Sequence, residues 1–341
     1  MSLKVKNCHS SNISQLKNKA TLLYHYYQGQ ISDKPNILTM GRDSNILFSV
    51  LLLGGIADFL FNGYFTRFLK IGGEWYISGW LQLLQLFGHS RVFLFIIATM
   101  ASLGIPFWTI NLFFMSLDLK GKPAFLRKYK IQSDKNIPVD WKLYKKCITV
   151  INKNQLIATI LVILMYPATQ WGGMKYEAED LPSLPRFFSE MLYFAIVQEI
   201  AFYYLHRLMH YPALYKHIHK VHHEWTAPIS MAVVYVHPIE HIVVNMIPIL
   251  LSPVLIGAHI STACIWYMAA TFVSTIHHSG YHFPGFPSPQ FHDYHHLKFN
   301  QCYGVLGWLD RLHNTDSQFR KSLNYKWDSM YFTLKPIWMD G

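Results

Sequence analysis

The chain has 341 residues, of which 51% are hydrophobic, 16% aromatic and only 14% charged. Because soluble domains carry roughly a quarter charged residues, this composition argues against a soluble protein and favours one embedded in a membrane. The net charge of +11 does not indicate nucleic-acid binding, since the basic residues flank apolar segments and no nucleic-acid-binding motif is present. Four scattered cysteines without a CxxC pair indicate neither a disulfide framework nor a thiolate zinc site.

The N-terminal part of the chain alternates polar and apolar stretches. Residues 1–45 are polar and basic and are predicted to form a tail. The apolar run 45–61 is near the lower limit of length for crossing ~30 Å of hydrocarbon. Residues 92–115 form the strongest candidate for a membrane-spanning helix, with Pro106 as the expected kink. Whether the segments up to residue 115 make two spans or a re-entrant pair stays open.

A basic loop determines the predicted topology. Residues 118–153 contain ten Lys and Arg residues against three acidic ones, so the positive-inside rule places this loop in the cytosol. The apolar segment 154–171 is then predicted to cross outward, and the segment 186–210 to return. This topology places His206 and His210 at the cytosolic end of the returning helix.

The apolar stretch 242–278 is too long for one helix and has Pro248 and Pro253 in its middle, so it predicts a hairpin that enters the bilayer and returns. The predicted fold class is therefore all-α: a multi-pass membrane protein with four or more transmembrane helices and a cytosolic, histidine-rich, di-metal cap. The predicted domains are a polar tail at 1–45, membrane segments with the basic loop at 46–185, a histidine-rich domain at 186–316 and a C-terminal tail at 317–341.

Histidines are concentrated in one stretch, since 15 of the 19 lie between His206 and His296. Eleven of the 15 form the boxes HRLMH, HKVHH, HHSGYH and HDYHH, in which spacings of three and four residues would place imidazoles on one helix face. Ten imidazoles exceed what one zinc or one mononuclear iron takes, so the spacing predicts two metals. The ten predicted ligands are His206, His210, His219, His222, His223, His278, His282, His292, His295 and His296.

Ligand type alone does not identify the metal, because imidazole suits iron, zinc, copper and nickel. A neutral, all-nitrogen ligand set leaves the metal electrophilic and is compatible with oxygen activation. Glu199 lies seven residues before His206, on the same helix face and inside the membrane, and Glu199 and Asp293 are predicted to be catalytic. Asp293, Glu224 and Glu240 are candidates to accept a hydrogen bond from a ligand imidazole. Whether His217, His237, His241 and His277 also bind metal stays open.

The boxes HRLMH, HKVHH and HDYHH, separated by an apolar hairpin, resemble the three histidine boxes of the fatty acid hydroxylase superfamily of membrane di-iron oxygenases. The segments YKHIHKVHHEWTAPI and HHSGYHFP are similar to the sterol branch of that superfamily, which contains the C4-methylsterol oxidases. The resemblance covers residues 186–316. It departs at His282, where C4-methylsterol oxidases have Asp, whereas fatty acid 2-hydroxylases have the HxxxH spacing that His278 and His282 form.

The resemblance implies an endoplasmic reticulum membrane protein that hydroxylates C–H bonds of lipids with O2. It implies two iron ions as cofactors and electrons from NAD(P)H, relayed through cytochrome b5 or a reductase. The expected partners are the lipid bilayer, a lipid substrate and that electron donor, and no nucleic acid. The residues that the resemblance assigns as iron ligands are His206, His210, His219, His222, His223, His292, His295 and His296, and it also accommodates His278 and His282.

The leading hypothesis from the sequence is a di-iron monooxygenase that oxidises a C4-methyl group of a sterol in sterol biosynthesis. One alternative within the same class is a hydroxylase or desaturase of a fatty acyl or sphingolipid chain. A third hypothesis is a catalytically silent membrane scaffold that the metals stabilise. A complete set of histidine boxes argues against the silent scaffold, because a protein that had lost activity could also lose ligands.

Overall fold

The computed structural model describes residues 64–339, so the predicted tail 1–45 and the apolar run 45–61 lie outside the described residues. The described part contains no β-strand, only two isolated bridges, which confirms the all-α prediction. The α-helices of six residues or more among the described residues are α1 (Tyr64–Leu86), α2 (Arg91–Lys120), α3 (Trp141–Trp171), α4 (Leu184–Met209), α5 (Pro238–Leu255), α6 (Ile260–His277), α7 (Gln290–Lys298) and α8 (Trp308–His313).

Three of the described helices, α2, α3 and α5, are long and apolar enough to cross a membrane. The prediction of four or more spans and the cytosolic orientation of the cap therefore stay predictions. The stretch 242–278 forms α5 and α6 with a short connection between them, as a hairpin requires. Within α5, residues His241–Met246 form a π-helix, a local widening that often marks a functional site.

The exposed surface of α3 agrees with a membrane setting. Leu156, Ile160, Ile163 and Leu164 are each about half exposed or more and recur at the spacing of one helix face. Water would disfavour such an apolar stripe, whereas lipid tails would not. The helix begins where the Asp140 carboxylate accepts hydrogen bonds from two main-chain N–H groups in its first turn.

The chain divides into two compact units. The described part of the first unit comprises residues 64–94 and Tyr176–Ser183, in which the Trp80 indole N–H donates to the Tyr176 carbonyl over 2.9 Å. An exposed ion pair of 2.7 Å joins Arg91 to Glu177 in the same unit. The second unit, Phe95–Lys175 with Leu184–Gly341, contains every described histidine from His206 onward.

The core of the second unit lies between α2, α3 and the irregular segment 225–235. Phe107 from α2 and Tyr144 and Ile151 from α3 pack there against Trp225 and Tyr235, all at most 3% exposed. Because this core holds the segment after HKVHH against two long helices, it also places the second histidine box next to the ends of α4 and α6. The domain boundaries predicted from the sequence are not tested by this division.

Candidate metal centre

Nine histidines converge in two groups near the ends of α4 and α6. Within each group, the nitrogens that could bind a metal all lie within 4.8 Å of one another. Eight of the nine side chains are buried, and His210 is partly buried. The first group consists of His206, His210, His219, His223 and His295, and the second of His222, His278, His292 and His296.

Each HxxHH triplet contributes to both groups. In HKVHH, His219 and His223 belong to the first group and His222 to the second. In HDYHH the arrangement is reversed, with His295 in the first group and the other two histidines in the second. Adjacent residues of a helix point about 100° apart, so a pair of consecutive histidines can face two neighbouring metals. The triplet pattern is therefore suited to a pair of metals.

Hydrogen bonds fix which ring nitrogen carries the proton. Five imidazoles place Nδ1 against main-chain carbonyl oxygens, which can only accept a hydrogen bond, so each Nδ1 must donate. A neutral imidazole has one N–H, and Nε2 of each of these rings is therefore an unprotonated lone pair. The five contacts are His206 to Tyr303 (2.7 Å), His222 to Tyr235 (3.4 Å), His278 to Ser274 (2.8 Å), His295 to Gln301 (2.7 Å) and His296 to Trp225 (3.0 Å).

The Nε2 atoms point at one another. Nε2 of His222 and Nε2 of His278 lie 3.3 Å apart, although both are lone pairs and neither can donate to the other. Neighbouring Nε2 pairs in the two groups lie 2.9 to 3.3 Å apart. Two nitrogens bound to one metal at about 2.1 Å lie about 3.0 to 3.4 Å apart in octahedral or tetrahedral geometry. The donor set therefore fits a metal ion in each group.

Burial keeps these imidazoles neutral. It lowers the pKa of His222 to about 3 and lowers the pKa values of His278 and His292 well below the ordinary value for histidine. Neighbouring imidazoles lower them further, because two charged rings at this distance would repel. Neutral imidazole is the form that binds a metal, so the centre needs no proton loss at neutral pH.

One of the predicted acidic partners lies at the centre. Oε1 of Glu240 accepts a hydrogen bond of 2.7 Å from Nδ1 of His219, both side chains being buried. Such a carboxylate orients the ring and strengthens its other nitrogen as a ligand. Glu224 instead pairs with Lys146 at 2.7 Å and accepts a hydrogen bond from the Tyr235 hydroxyl.

Asp293 is buried within the fourth box, and the hydrogen bond that the structure describes for its carboxylate does not involve a histidine. Its Oδ1 accepts a hydrogen bond of 3.0 Å from Gln132, and burial raises its pKa to about 6. The Asp293 carboxylate therefore links α7, to which it belongs, to the segment that contains Gln132. Its predicted catalytic role stays a prediction.

Glu199 holds a loop. Its two carboxylate oxygens accept hydrogen bonds from the main-chain N–H groups of Val305, Leu306 and Gly307, at 2.8 to 3.2 Å. The same loop contains Tyr303, whose carbonyl oxygen accepts the hydrogen bond from His206. Glu199 is thus placed to position a ligand histidine through the loop, and its predicted catalytic role stays a prediction.

Asp310 is a part of this site that sequence reasoning missed. Its carboxylate accepts hydrogen bonds from the N–H groups of Tyr303 (2.8 Å) and Gly304 (2.7 Å), so it holds the other side of the loop. An acidic residue inside the apolar and aromatic run GVLGWLD was the one signal available for it. The Tyr303 carbonyl gave no signal, since every residue has a carbonyl group.

The structure does not bring His282 into either group. Its Nε2 donates to the Ser329 carbonyl over 3.1 Å. Helix α6 ends at His277, and the chain then turns through Gly280 with a φ of 69°. The spacing of four residues between His278 and His282 is therefore not a helical spacing, and the sequence-based alignment of these two rings is wrong.

The off-pattern histidines also lie outside both groups. His217 is exposed, and Nδ1 of His237 accepts a hydrogen bond from the N–H of Ile239 at the start of α5. His241 and His277 line a cavity next to the groups.

That cavity has a volume of ≈ 380 Å³ and is bounded by residues of α2 to α6. His206, His219 and His222 are among the residues lining it, together with His278 and His292. The rest of its wall is mainly apolar, as in Met100, Phe107, Trp108, Leu156, Phe202 and Ile249. A ligand in this cavity would touch both histidine groups and a mainly apolar wall.

Comparison with known proteins identifies similar sequences. A family model described as fatty acid hydroxylase matches residues 191–315. Fatty acid hydroxylase domain-containing protein 2 of Macaca fascicularis is 42% identical over 275 residues, which cover 80% of this chain and 82% of that protein. Fatty acid hydroxylase ahd1 of Mycosarcoma maydis is 37% identical over 62% of this chain and 55% of that protein. Methylsterol monooxygenase 1 of Danio rerio is 31% identical over 59% of this chain and 72% of that protein. No solved structure matches the chain.

Proposed function

The chain belongs to the fatty acid hydroxylase family, and we propose that it is a di-iron monooxygenase that hydroxylates an unactivated C–H bond of a membrane lipid. The observation that carries this proposal is the convergence of unprotonated Nε2 atoms in two adjacent groups, exemplified by His222 and His278 at 3.3 Å. Facing lone pairs repel unless a cation lies between them. Family membership makes iron the favoured metal, because members of this family are histidine-box di-iron proteins.

The proposed overall reaction consumes one O2, two electrons and two protons. One oxygen atom enters the substrate C–H bond to give an alcohol, and the other leaves as water. Two iron ions, when bound, would supply the activation of O2. NAD(P)H would supply the electrons through cytochrome b5 or a reductase, and the protein would lie in the endoplasmic reticulum membrane with the histidine groups towards the cytosol.

The chain's own residues would perform three tasks. The nine histidines hold the metals, while carbonyl groups and Glu240 fix the orientation of the rings. The apolar walls of the cavity exclude water from the reacting carbon. Contact between the cavity and both histidine groups brings the C–H bond next to the metal pair.

Among lipids, we favour a sterol with a C4-methyl group as the substrate. Similarity to methylsterol monooxygenase 1 supports this choice. The second candidate is hydroxylation of a fatty acyl chain, which similarity to fatty acid hydroxylase ahd1 supports. A catalytically silent scaffold would bind the same metals without turnover, so activity has to be measured directly.

The test is a reconstitution of the purified protein in lipid nanodiscs with Fe²⁺, NADH, cytochrome b5 and its reductase. A 4,4-dimethylsterol and a long-chain ceramide are supplied together under ¹⁸O2, and the products are analysed by mass spectrometry. We expect an ¹⁸O-labelled hydroxymethyl sterol and unchanged ceramide. Labelled ceramide with unchanged sterol would show that the substrate is a fatty acyl chain and not a sterol. Absence of any labelled lipid, from a protein loaded with two irons, would reject the proposed catalysis.

A further inference from the structure

Three groups that line the cavity keep a buried polar atom without a hydrogen-bond partner among the described residues. They are Oε2 of Glu240, Oε1 of Gln198 and both ring nitrogens of His241. Two other polar residues of the wall are paired: Thr275 with the Thr271 carbonyl and Asn245 with the Val233 carbonyl. Glu240 is part of the metal centre through His219. No role in the metal centre accounts for the unpaired polar atoms of His241 and Gln198.

His241 is the most constrained of these groups. Its side chain is 3% exposed and lies in the π-helical segment of α5. The main-chain carbonyl of Asn154 lies near the ring but outside hydrogen-bond geometry. Leaving a buried donor and acceptor unpaired costs free energy, so an imidazole at this position calls for a partner from the cavity.

The position of His241 relates that partner to the metals. It directly follows Glu240, whose carboxylate holds His219 of the first histidine group. His241 also lines the same cavity as five histidines of the two groups, so a ligand bound to it lies in the space that adjoins both groups. Gln198 lies on α4 eight residues before His206, about 12 Å further along the helix axis. The apolar part of a ligand has the rest of the cavity wall to contact.

The chemistry of the wall selects the type of polar group. The two ring nitrogens lie on opposite edges of the imidazole, so one ligand group meets only one of them. The nearby Asn154 carbonyl can only accept, which favours the tautomer with the N–H on that side and leaves a lone pair on the opposite nitrogen. The partner of that lone pair has to donate a hydrogen bond, as a hydroxyl does. A carboxylate or phosphate is disfavoured, because no Lys or Arg is among the described residues lining the cavity and an unpaired charge there would be costly. A carbonyl or ether oxygen can only accept a hydrogen bond and would leave this lone pair unmatched.

We propose that His241 binds the hydroxyl group of a neutral lipid alcohol and thereby determines which lipid, and which of its carbons, is presented to the metal centre. The inference rests on the proposed monooxygenase function and narrows its substrate class. It disfavours free fatty acids and agrees with a sterol, in which the 3-hydroxyl is borne by the carbon next to C4. A hydroxyl held by His241 would bring the neighbouring C4-methyl groups into the cavity that histidines of both groups line.

The test compares two probes with three proteins. The probes are 4,4-dimethylcholestanol and its 3-methyl ether, which lacks the hydroxyl proton, and the proteins are wild type, His241→Phe and His241→Gln in nanodiscs. We expect wild type to bind the alcohol at least tenfold more tightly than the ether. His241→Phe should lose this preference, and His241→Gln, which keeps a donor and an acceptor, should retain part of it.

Met246→Leu is the matched control, since it changes an apolar residue of the same wall and should keep the preference of wild type. Metal content and unfolding temperature are measured for every variant, so that loss of the fold is not mistaken for loss of recognition. If His241→Phe does not fold, wild type alone decides, because equal binding of the two probes rejects the inference. Retention of the preference in folded His241→Phe also rejects it. Product formation from either probe is scored separately, so absence of turnover tests the monooxygenase function and leaves the binding result standing.

Discussion

His295 and His296 are consecutive residues of α7, yet their Nε2 atoms belong to different histidine groups. Nε2 of His295 lies 3.1 Å from Nε2 of His223 in the first group, and Nε2 of His296 lies 3.2 Å from Nε2 of His292 in the second. Helix α7 is therefore shared by both groups, whereas α4 serves only the first and the end of α6 only the second. Substitutions outside α7 can thus be used to remove one metal at a time.

The first prediction concerns metal stoichiometry. His278→Asn removes a member of the second group and should reduce bound iron from about two ions per chain to about one. His206→Asn removes a member of the first group and should likewise reduce bound iron from about two ions per chain to about one. The matched control is His282→Asn, which should retain both ions because His282 lies outside both groups. Elemental analysis of purified protein provides the measurement, and equal losses in His278→Asn and His282→Asn would contradict the grouping.

The second prediction concerns the Glu240 carboxylate. Glu240→Gln weakens the acceptor of the 2.7 Å hydrogen bond from His219, so we expect iron affinity to fall about 10- to 100-fold. Competition with a chelator of known affinity measures the change. Glu224→Gln is the control, because that side chain pairs with Lys146 and Tyr235 and not with a histidine. An unchanged affinity in Glu240→Gln would show that this hydrogen bond does not tune the ligand.

The histidine groups show what could be predicted from the sequence. The pairs His206–His210 and His292–His296 could be placed together because four residues make about one helical turn and both pairs lie on or at the end of a helix. The same spacing failed for His278 and His282, because the helix ends at His277, where the predicted apolar stretch 242–278 also ends, and a spacing of four residues does not align side chains beyond the end of a helix. Which histidine faces which metal depends on packing between distant segments and leaves no mark in spacing.

The helices, too, were predicted only in part from the sequence. Hydropathy located α2 well, since the predicted span 92–115 lies inside Arg91–Lys120. For α3 it found only the apolar portion 154–171, whereas the helix begins at Trp141. Its first turns are amphipathic rather than continuously apolar: basic residues alternate with Tyr144, Cys147 and Ile151, which recur at helical spacing and are buried in the core. That spacing and the Asp140 cap were the local signals for the start of the helix. Polarity indicates where a helix enters lipid, not where the helix begins.

The third prediction separates positioning from catalysis at Glu199. Glu199→Gln replaces an oxygen that accepts main-chain hydrogen bonds with an amide N–H, so we expect the protein to lose about 2 kcal/mol of stability. Thermal unfolding in detergent measures this loss. Glu177→Gln, in an exposed ion pair with Arg91, should cost less than about 1 kcal/mol. Unchanged stability of Glu199→Gln, with activity lost, would favour a catalytic role instead.

The fourth prediction concerns the turn that follows His278. Gly280 has a φ of 69°, and a Cβ there would lie 2.7 Å from the Pro228 carbonyl oxygen, a main-chain atom that cannot easily move. Gly280→Ala should therefore cost more than about 2 kcal/mol and should displace His278, lowering iron occupancy of the second group. Gly285 has a similar φ of 76° with nothing within 4 Å of its Cβ position, so Gly285→Ala should cost only about 1 kcal/mol. Unfolding temperature and iron content of both variants provide the measurement. Equal effects of the two substitutions would mean that φ alone, and not contact with Pro228, constrains this turn.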